Sequence, residues 1–156
     1  MKTLTTEDIA AVNAAHATLA RVVAKLEAST VEPAFFVYQC KRIPLATGET
    51  YVGTIITRHA GYHLILLPGQ VEGKNWADAT AWAESIGGTP PSRFESMLLF
   101  ATLKDQFDEA WYWTSAERAL GSEFACGQDF GIGSQHYDHK SLGLRARAVR
   151  RLDIGA

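Results

Sequence analysis

Pro90-Pro91-Ser92-Arg93-Phe94-Glu95 is followed by Leu98-Leu99-Phe100-Ala101 and then by Trp111-Tyr112-Trp113-Thr114-Ser115. Ser-x-x-Glu is the spacing of a capping box, in which the serine hydroxyl and the glutamate carboxylate each satisfy a backbone N–H of the first helical turn. It predicts a helix through Phe94, Leu98 and Ala101 to about Asp105. Because Met97, Leu98, Leu99 and Phe100 follow in succession, that helix is expected to be buried nearly all round. The aromatic run after it reads as a strand. Alternation puts Trp111 and Trp113 on one face and Tyr112 on the other, with the tryptophans expected inside and a sugar-stacking role for the aromatic set held as the alternative.

Working outward, Trp76, Ala79, Ala83 and Ile86 recur on one helical face, with Asn75 as N-cap and Gly87-Gly88 as the stop. Before this helix, the aromatic and β-branched runs 34–40, 51–57 and 62–67 are separated by turn residues and predict a three-stranded antiparallel meander. After the tryptophan strand, 124–130 and the alternating 145–152 read as strands, joined by a polar connection over 131–140. Helix, strands, two helices, strands is the order of an α+β domain rather than of βαβ units. Arg145, Arg147, Arg150 and Arg151 form a polar strand face expected to pair with acids such as Glu95 or Asp105.

The first segment has a different period. From Thr5 to Ala28 there is no Gly or Pro, and Ile9, Val12, His16, Leu19, Val23 and Leu26 follow one another at heptad a/d spacing. Thr6 is the expected N-cap, and Glu7 and Asp8 complement the positive end of the helix dipole. A helix of this length must bury its stripe against copies of itself or against the following domain. The extended stretch Ser29-Thr30-Val31-Glu32-Pro33 favours copies, giving an oligomerisation helix over residues 1–30 and a second domain over 31–156. His16 either meets its copies across the seam or sits wet at its edge.

The 156 residues are 47% apolar, enough for one core of ordinary size, and 15 Lys+Arg against 17 Asp+Glu leave a net charge of −2 without a run of either sign. Nucleic-acid and anionic-membrane binding are therefore not expected. Leu64 to Pro68 is the longest strongly apolar stretch, and the N-terminus has no apolar segment of the signal-peptide kind. A soluble protein without a recognisable secretion signal is expected. Cys40 and Cys126 are too few for a disulfide scaffold and read as reduced thiols.

Taken together, Tyr62-His63-Leu64-Ile65-Leu66-Leu67-Pro68-Gly69, Trp76-Ala77-x-Ala79-x-x-Trp82-Ala83, Pro91 to Glu95, Leu98 to Ala101, Trp111 to Ser115, Gln128-Asp129-Phe130-x-x-Gly133-x-Gln135 and Arg145 to Arg150 resemble a domain found in many phage and prophage proteins. That family is similar to the Lcl-type C-terminal domains of the C-type-lectin-like superfamily. The resemblance covers about Tyr51 to Leu152 and implies two helices beside a sheet, with the N- and C-terminal strands adjacent. It also implies a long irregular segment that carries the ligand surface. Two departures stand out: Cys126-Gly127 where an aromatic is common, and Thr89-Pro90-Pro91 where Leu-Pro is usual. The oxygen-donor motifs with which true C-type lectins hold calcium and sugar are missing, since Glu32-Pro33-Ala34 lacks a third oxygen donor.

Candidate chemistry is weighed against structural explanations. His136-x-x-His139 with Asp138, and His59 with His63, lack helical ligand spacing or a thiolate partner, so neither a metal nor a cofactor is expected. Cys126 has mainly apolar neighbours and no paired cysteine, Ser115 and Ser134 have no adjacent base, and Gly127, Gly131 and Gly133 read as hairpin turn residues. No catalytic residue is assigned. The ligand-binding candidates are Gln128, Gln135, His136, Tyr137, Asp138, His139 and Lys140, which combine donors, acceptors and an aromatic ring without a core-forming period. A solvated loop is the competing account of that segment. The expected function is a non-enzymatic binding module for a protein or glycan, a phage structural or receptor-recognition component. The alternative is an intracellular phage protein that binds and inhibits a host protein.

Overall fold

A computed structural model describes residues 6–28, 35–38, 41–58 and 61–154, with side chains described for 10–25, 42–58 and 61–154. The chain divides into two compact units, Met1–Ala34 and Phe35–Ala156.

In the first unit, α1 (Thr6–Ala28) is one uninterrupted helix. Thr6, expected as the N-cap, lies inside the helix. Every described side chain from Ala10 to Lys25 is exposed, including His16, and the stripe is bare at Val12 (52%), Leu19 (65%) and Val23 (45%). The Ile9 and Leu26 side chains and the stretch 29–33 lie outside the described residues. Among the described residues, no helix is long and apolar enough to cross a membrane.

The second unit is α+β. Its elements are β1 (Phe35–Tyr38), β2 (Lys41–Pro44), β3 (Thr50–Ile56), β4 (Gly61–Leu66), β5 (Val71–Lys74), α2 (Trp76–Ser85), α3 (Arg93–Leu103), β6 (Trp111–Glu117), β7 (Phe124–Asp129), β8 (Gln135–His139), β9 (Leu144–Ala146) and β10 (Val149–Asp153). They form three sheets: a β1-β2 hairpin, a three-stranded sheet β10-β4-β3 and a five-stranded sheet β5-β9-β6-β7-β8. All pairs are antiparallel except β6 with β9, which run parallel at Tyr112↔Arg145.

Several expectations are corrected. The first strand does not join the meander but turns back on β2, and the third member of the β3–β4 sheet is β10. The sequence pattern missed β2, β5 and β8, which are short and polar. The run 145–152 is two strands, because Ala148 leaves the ladder to accept from Leu67 N–H (2.9 Å) while Arg147 turns inward to donate to the carbonyls of Gln106 (2.7 Å) and Leu67 (3.3 Å). Gly127 is not a turn residue. It lies inside β7, where a Cβ would come within 3.2 Å of Trp111 Cε3 and 3.3 Å of Leu144 Cδ1.

Both caps form as read. Asn75 accepts from Asp78 N–H (2.9 Å), and Ser92 and Glu95 complete the reciprocal box. The α3 surface differs from expectation: Phe94 (62%) and Met97 (55%) are exposed, and the buried face is Glu95, Ser96 and Leu99. Ile86, read as part of the buried face of α2, is its exposed C-cap.

The five-stranded sheet is covered on both sides, so Tyr112 (1% exposed) is as buried as Trp113 (0%), while Trp111 is only half-buried. Trp113 packs with Ala79, Ala125 and Ala146 beneath α2. Tyr112 joins Leu99, Phe130, Leu64, Leu66, Ile55 and Val149 in the larger core, where Phe107 stacks on Phe130 at 3.8 Å. Each fully buried aromatic here contributes about 2–3 kcal/mol from area removed from water.

Arginines of the last two strands pin the layers. Arg151 donates through Nε (2.7 Å) and a terminal nitrogen (2.5 Å) to Glu95, and Arg150 forks onto Glu49 at 2.6 and 2.7 Å. The acids facing Arg145 are Asp108 and Glu72 rather than Asp105. Burial pushes the Glu95 carboxyl up, but Arg151, the Ser92 N–H and Tyr62 outweigh it and hold the group below the usual carboxylate range.

Candidate recognition surface

The segment from Gln128 to Lys140 folds as the β7–β8 hairpin. Its turn is fixed by Asp129, whose carboxylate accepts from Gly131 N–H (2.7 Å) and whose carbonyl accepts from Gly133 N–H (2.9 Å). Gly133 has φ +82°, and a Cβ there would come within 2.7 Å of Phe100 Cε1. Only glycine fits both the left-handed backbone and the ring against it. Lys104 ties the same turn to the end of α3 by donating to the Gly131 carbonyl (2.8 Å).

β8 is the edge of the five-stranded sheet. Asp129 N–H to Ser134 O and Lys140 N–H to Glu123 O, both 2.8 Å, mark hydrogen-bonded pairs at the two ends of the ladder. Such pairs alternate along antiparallel strands. His136 and Asp138 therefore bond inward to Gly127 and Ala125, while Gln135, Tyr137 and His139 turn their backbone N–H and C=O groups away from β7.

The candidate side chains divide by face. Gln135, Tyr137 and His139 share one face, and His136 and Asp138 the other. Gln128 is fully buried and serves as a brace, accepting from the Gln135 amide at 2.8 Å. Gln135 also donates to the Arg93 carbonyl (2.7 Å) and accepts from Arg93 Nε (2.9 Å). Arg93 in turn reaches the Tyr137 hydroxyl at 3.3 Å and lies 5.5 Å from its ring centroid. This arginine was not legible as part of the site, because its contacts lie more than 40 residues away in the chain, at separations of 42 and 44.

His136, 72% exposed at the side chain, stands 3.5 Å from Asp138. His139 bonds Ser141 (2.7 Å) and sets its ring edge-on to Phe124. Lys140 is drawn away from the others, paired with Glu117 at 2.6 Å and lying over the Trp76 ring at 4.4 Å. The structure thus gathers Gln128, Gln135, Tyr137 and Arg93 into one braced group, with His136 and Asp138 on the reverse face.

Cys126 lies under this group, 1% exposed, and burial pushes its thiol up. Cys40 and His59 lie outside the described residues. His63 is buried on β4, in the other sheet from His136 and His139, with Nδ1 3.0 Å from Thr54 Oγ1 and 3.1 Å from the Tyr51 hydroxyl. Among the described residues no three His, Cys, Asp or Glu side chains gather as metal ligands would. No protein-family model and no curated protein matches the sequence, which leaves the braced edge of β8 and the bare stripe of α1 as the observations that bear on function.

Proposed function

We propose that this chain is a non-enzymatic binding module of a phage or prophage, with a C-type-lectin-like domain joined to an oligomerising helix. The observation that carries the reading is the open edge of β8, where outward backbone groups of Gln135, Tyr137 and His139 lie beside side chains already fixed by Arg93 and Gln128. A surface fixed before its ligand arrives loses little conformational entropy on binding. The domain architecture supports the lectin-like assignment: two helices pack beside antiparallel strands, and β10 returns to pair with β4. Multiple copies held by the α1 stripe would turn weak single contacts into avidity.

A second reading, an intracellular phage protein that inhibits a host protein, is favoured by Phe94 and Met97. Both are exposed on α3 next to Arg93, as a protein-binding patch requires. Labelled chain assayed on intact bacterial cells and on a lysate separates the two. Tyr137→Ala with His136→Ala is expected to weaken partner binding by about 2 kcal/mol, the usual loss on truncating an aromatic anchor. Binding that is unchanged, or lost only in step with thermal stability, refutes the assignment to β8.

A further inference from the structure

The two edges of the five-stranded sheet are unlike. β5 has a register shift between Val71 and Lys74 and ends on that lysine, and both features discourage pairing with another chain. β8 has neither: it pairs with β7 without a shift, and 135–139 contain no Lys or Pro. We propose that the occupant of this edge is a second copy of the chain, its β8 running antiparallel to the first about a two-fold axis at Tyr137. The proposal rests on the β8 reading above and names what meets the backbone of that strand.

The backbone restricts the register. In an antiparallel ladder two opposed residues exchange bonds only when both turn their N–H and C=O groups toward the partner strand. On the outer side of β8 those residues are Gln135, Tyr137 and His139, which are symmetric about Tyr137. An axis at Tyr137 sets that residue opposite its own copy and Gln135 opposite His139 of the second copy, so every outward residue meets an outward one. Tyr137 then exchanges both of its bonds with its copy, and each His139 N–H donates to the Gln135 carbonyl across the seam. The His139 carbonyl already accepts from Leu142 N–H at 2.9 Å.

Charge selects among the registers that remain. Directly opposed residues share a face, so the axis at Tyr137 brings His136 of each copy against Asp138 of the other. Within one chain these side chains already stand 3.5 Å apart, and His136 is 72% exposed, so the two pairs would join into one alternating network. Moving the axis to His136 opposes two imidazoles, and moving it to Asp138 opposes two carboxylates. Only the central register joins unlike groups, and its contact is the self-complementary kind that a two-fold dimer requires. On the other face the two Tyr137 rings lie side by side, each with its Arg93 at 5.5 Å from the ring centroid, which doubles the recognition surface.

Tethered heads meet at effective concentrations up to roughly millimolar, so a contact too weak to hold separate chains at dilution closes within an assembly. The test therefore uses the full chain carrying Leu19→Asp with Val23→Asp, which takes the α1 seam out of the measurement. Sedimentation equilibrium and residue-resolved amide exchange are followed from about 10 μM to about 1 mM. A monomer is expected at the lower end and a dimer, with no larger species, at the upper, with exchange of the Tyr137 N–H slowing about tenfold as the dimer forms. His136→Asp is expected to weaken the dimer about tenfold, and His136→Asp with Asp138→His to restore it, because the exchanged pair again opposes unlike groups across the seam. A monomer at the highest concentration, association past the dimer, Tyr137 exchange independent of concentration, His136→Asp without effect, or no recovery in the exchanged pair overturns the proposal. A chain that stays monomeric yet loses partner binding in Tyr137→Ala with His136→Ala loses only the self-pairing and keeps its recognition surface on β8.

Discussion

Replacing Glu95 by alanine removes the most heavily bonded buried charge described in this chain. Its carboxylate, fully buried, accepts from Arg151 Nε (2.7 Å), a second Arg151 nitrogen (2.5 Å), the Tyr62 hydroxyl (2.8 Å) and the Ser92 N–H (2.7 Å). Breaking a buried pair from one side costs about 3–5 kcal/mol, because the remaining charge keeps its desolvation penalty. Here the Arg151 side chain is 33% exposed, so water can reach the orphaned guanidinium and the lower end of that range applies. Lost capping adds about 1 kcal/mol. A destabilisation of about 3–4 kcal/mol, or roughly 10–15 °C in Tm for a domain of this size, should appear in urea and thermal denaturation. Glu95→Gln, which keeps the shape and one carbonyl acceptor, should cost about half as much.

The pH dependence is specific to this carboxyl. Its folded pKa lies below its unfolded value, so its stabilisation is complete above the unfolded value near pH 4.3 and is lost as pH falls toward the folded pKa, at up to about 1.4 kcal/mol per pH unit. Glu49 and Asp108, held low first by Arg150 and by Gln70 respectively, titrate in wild type and variant alike. The gap between wild type and Glu95→Gln should therefore narrow below about pH 4.3. An alanine variant within about 0.5 kcal/mol of wild type, or a gap that does not change with pH, refutes this account of the layer contact.

Leu19→Asp with Val23→Asp should convert an oligomer into a monomer by light scattering, since charges in an apolar seam cost several kcal/mol per assembly. A monomeric unmodified chain refutes the seam. Gly133→Ala should lower domain stability by about 1–3 kcal/mol, from left-handed strain together with displacement of the Phe100 ring. An unchanged melting temperature would show that the turn yields freely.

What the sequence revealed was whatever is encoded over a few residues. The two capping signals, the 3.6-residue faces and the aromatic run of β6 each depend on neighbours within one or two turns, and the α+β class followed from their order. What it hid was set by distance in the chain. β8 is polar and short, and becomes a strand only because β7 offers it a ladder and Lys104 and Phe100 hold its turn. Phe94 and Met97 read as core because local hydrophobicity does not say which side of a helix meets the sheet. The same reason misplaced Tyr112: alternation assigns two faces but cannot tell that both are covered. Within the candidate site, Tyr137 and His136 were visible as polar residues of a recognition type, whereas Gln128 was not recognisable as a buried brace. Arg93 gave no signal at all.

One side chain closes the first turn of α3 and also receives Arg151 from a strand made 56 residues later. During synthesis the capping box can form as soon as α3 emerges, yet its carboxylate then lacks the cation that makes burial tolerable, and β4 lacks the neighbour that covers Leu64 and Leu66. Helix nucleation is local and fast, whereas closure of the layers waits on the most distant contact. The growing chain is thus a row of competent pieces with an open seam, and β10 acts as the clasp. Chaperone binding to the nascent chain should accordingly persist until Arg151 has been made, and any cut upstream of it should release every layer together rather than fray one end.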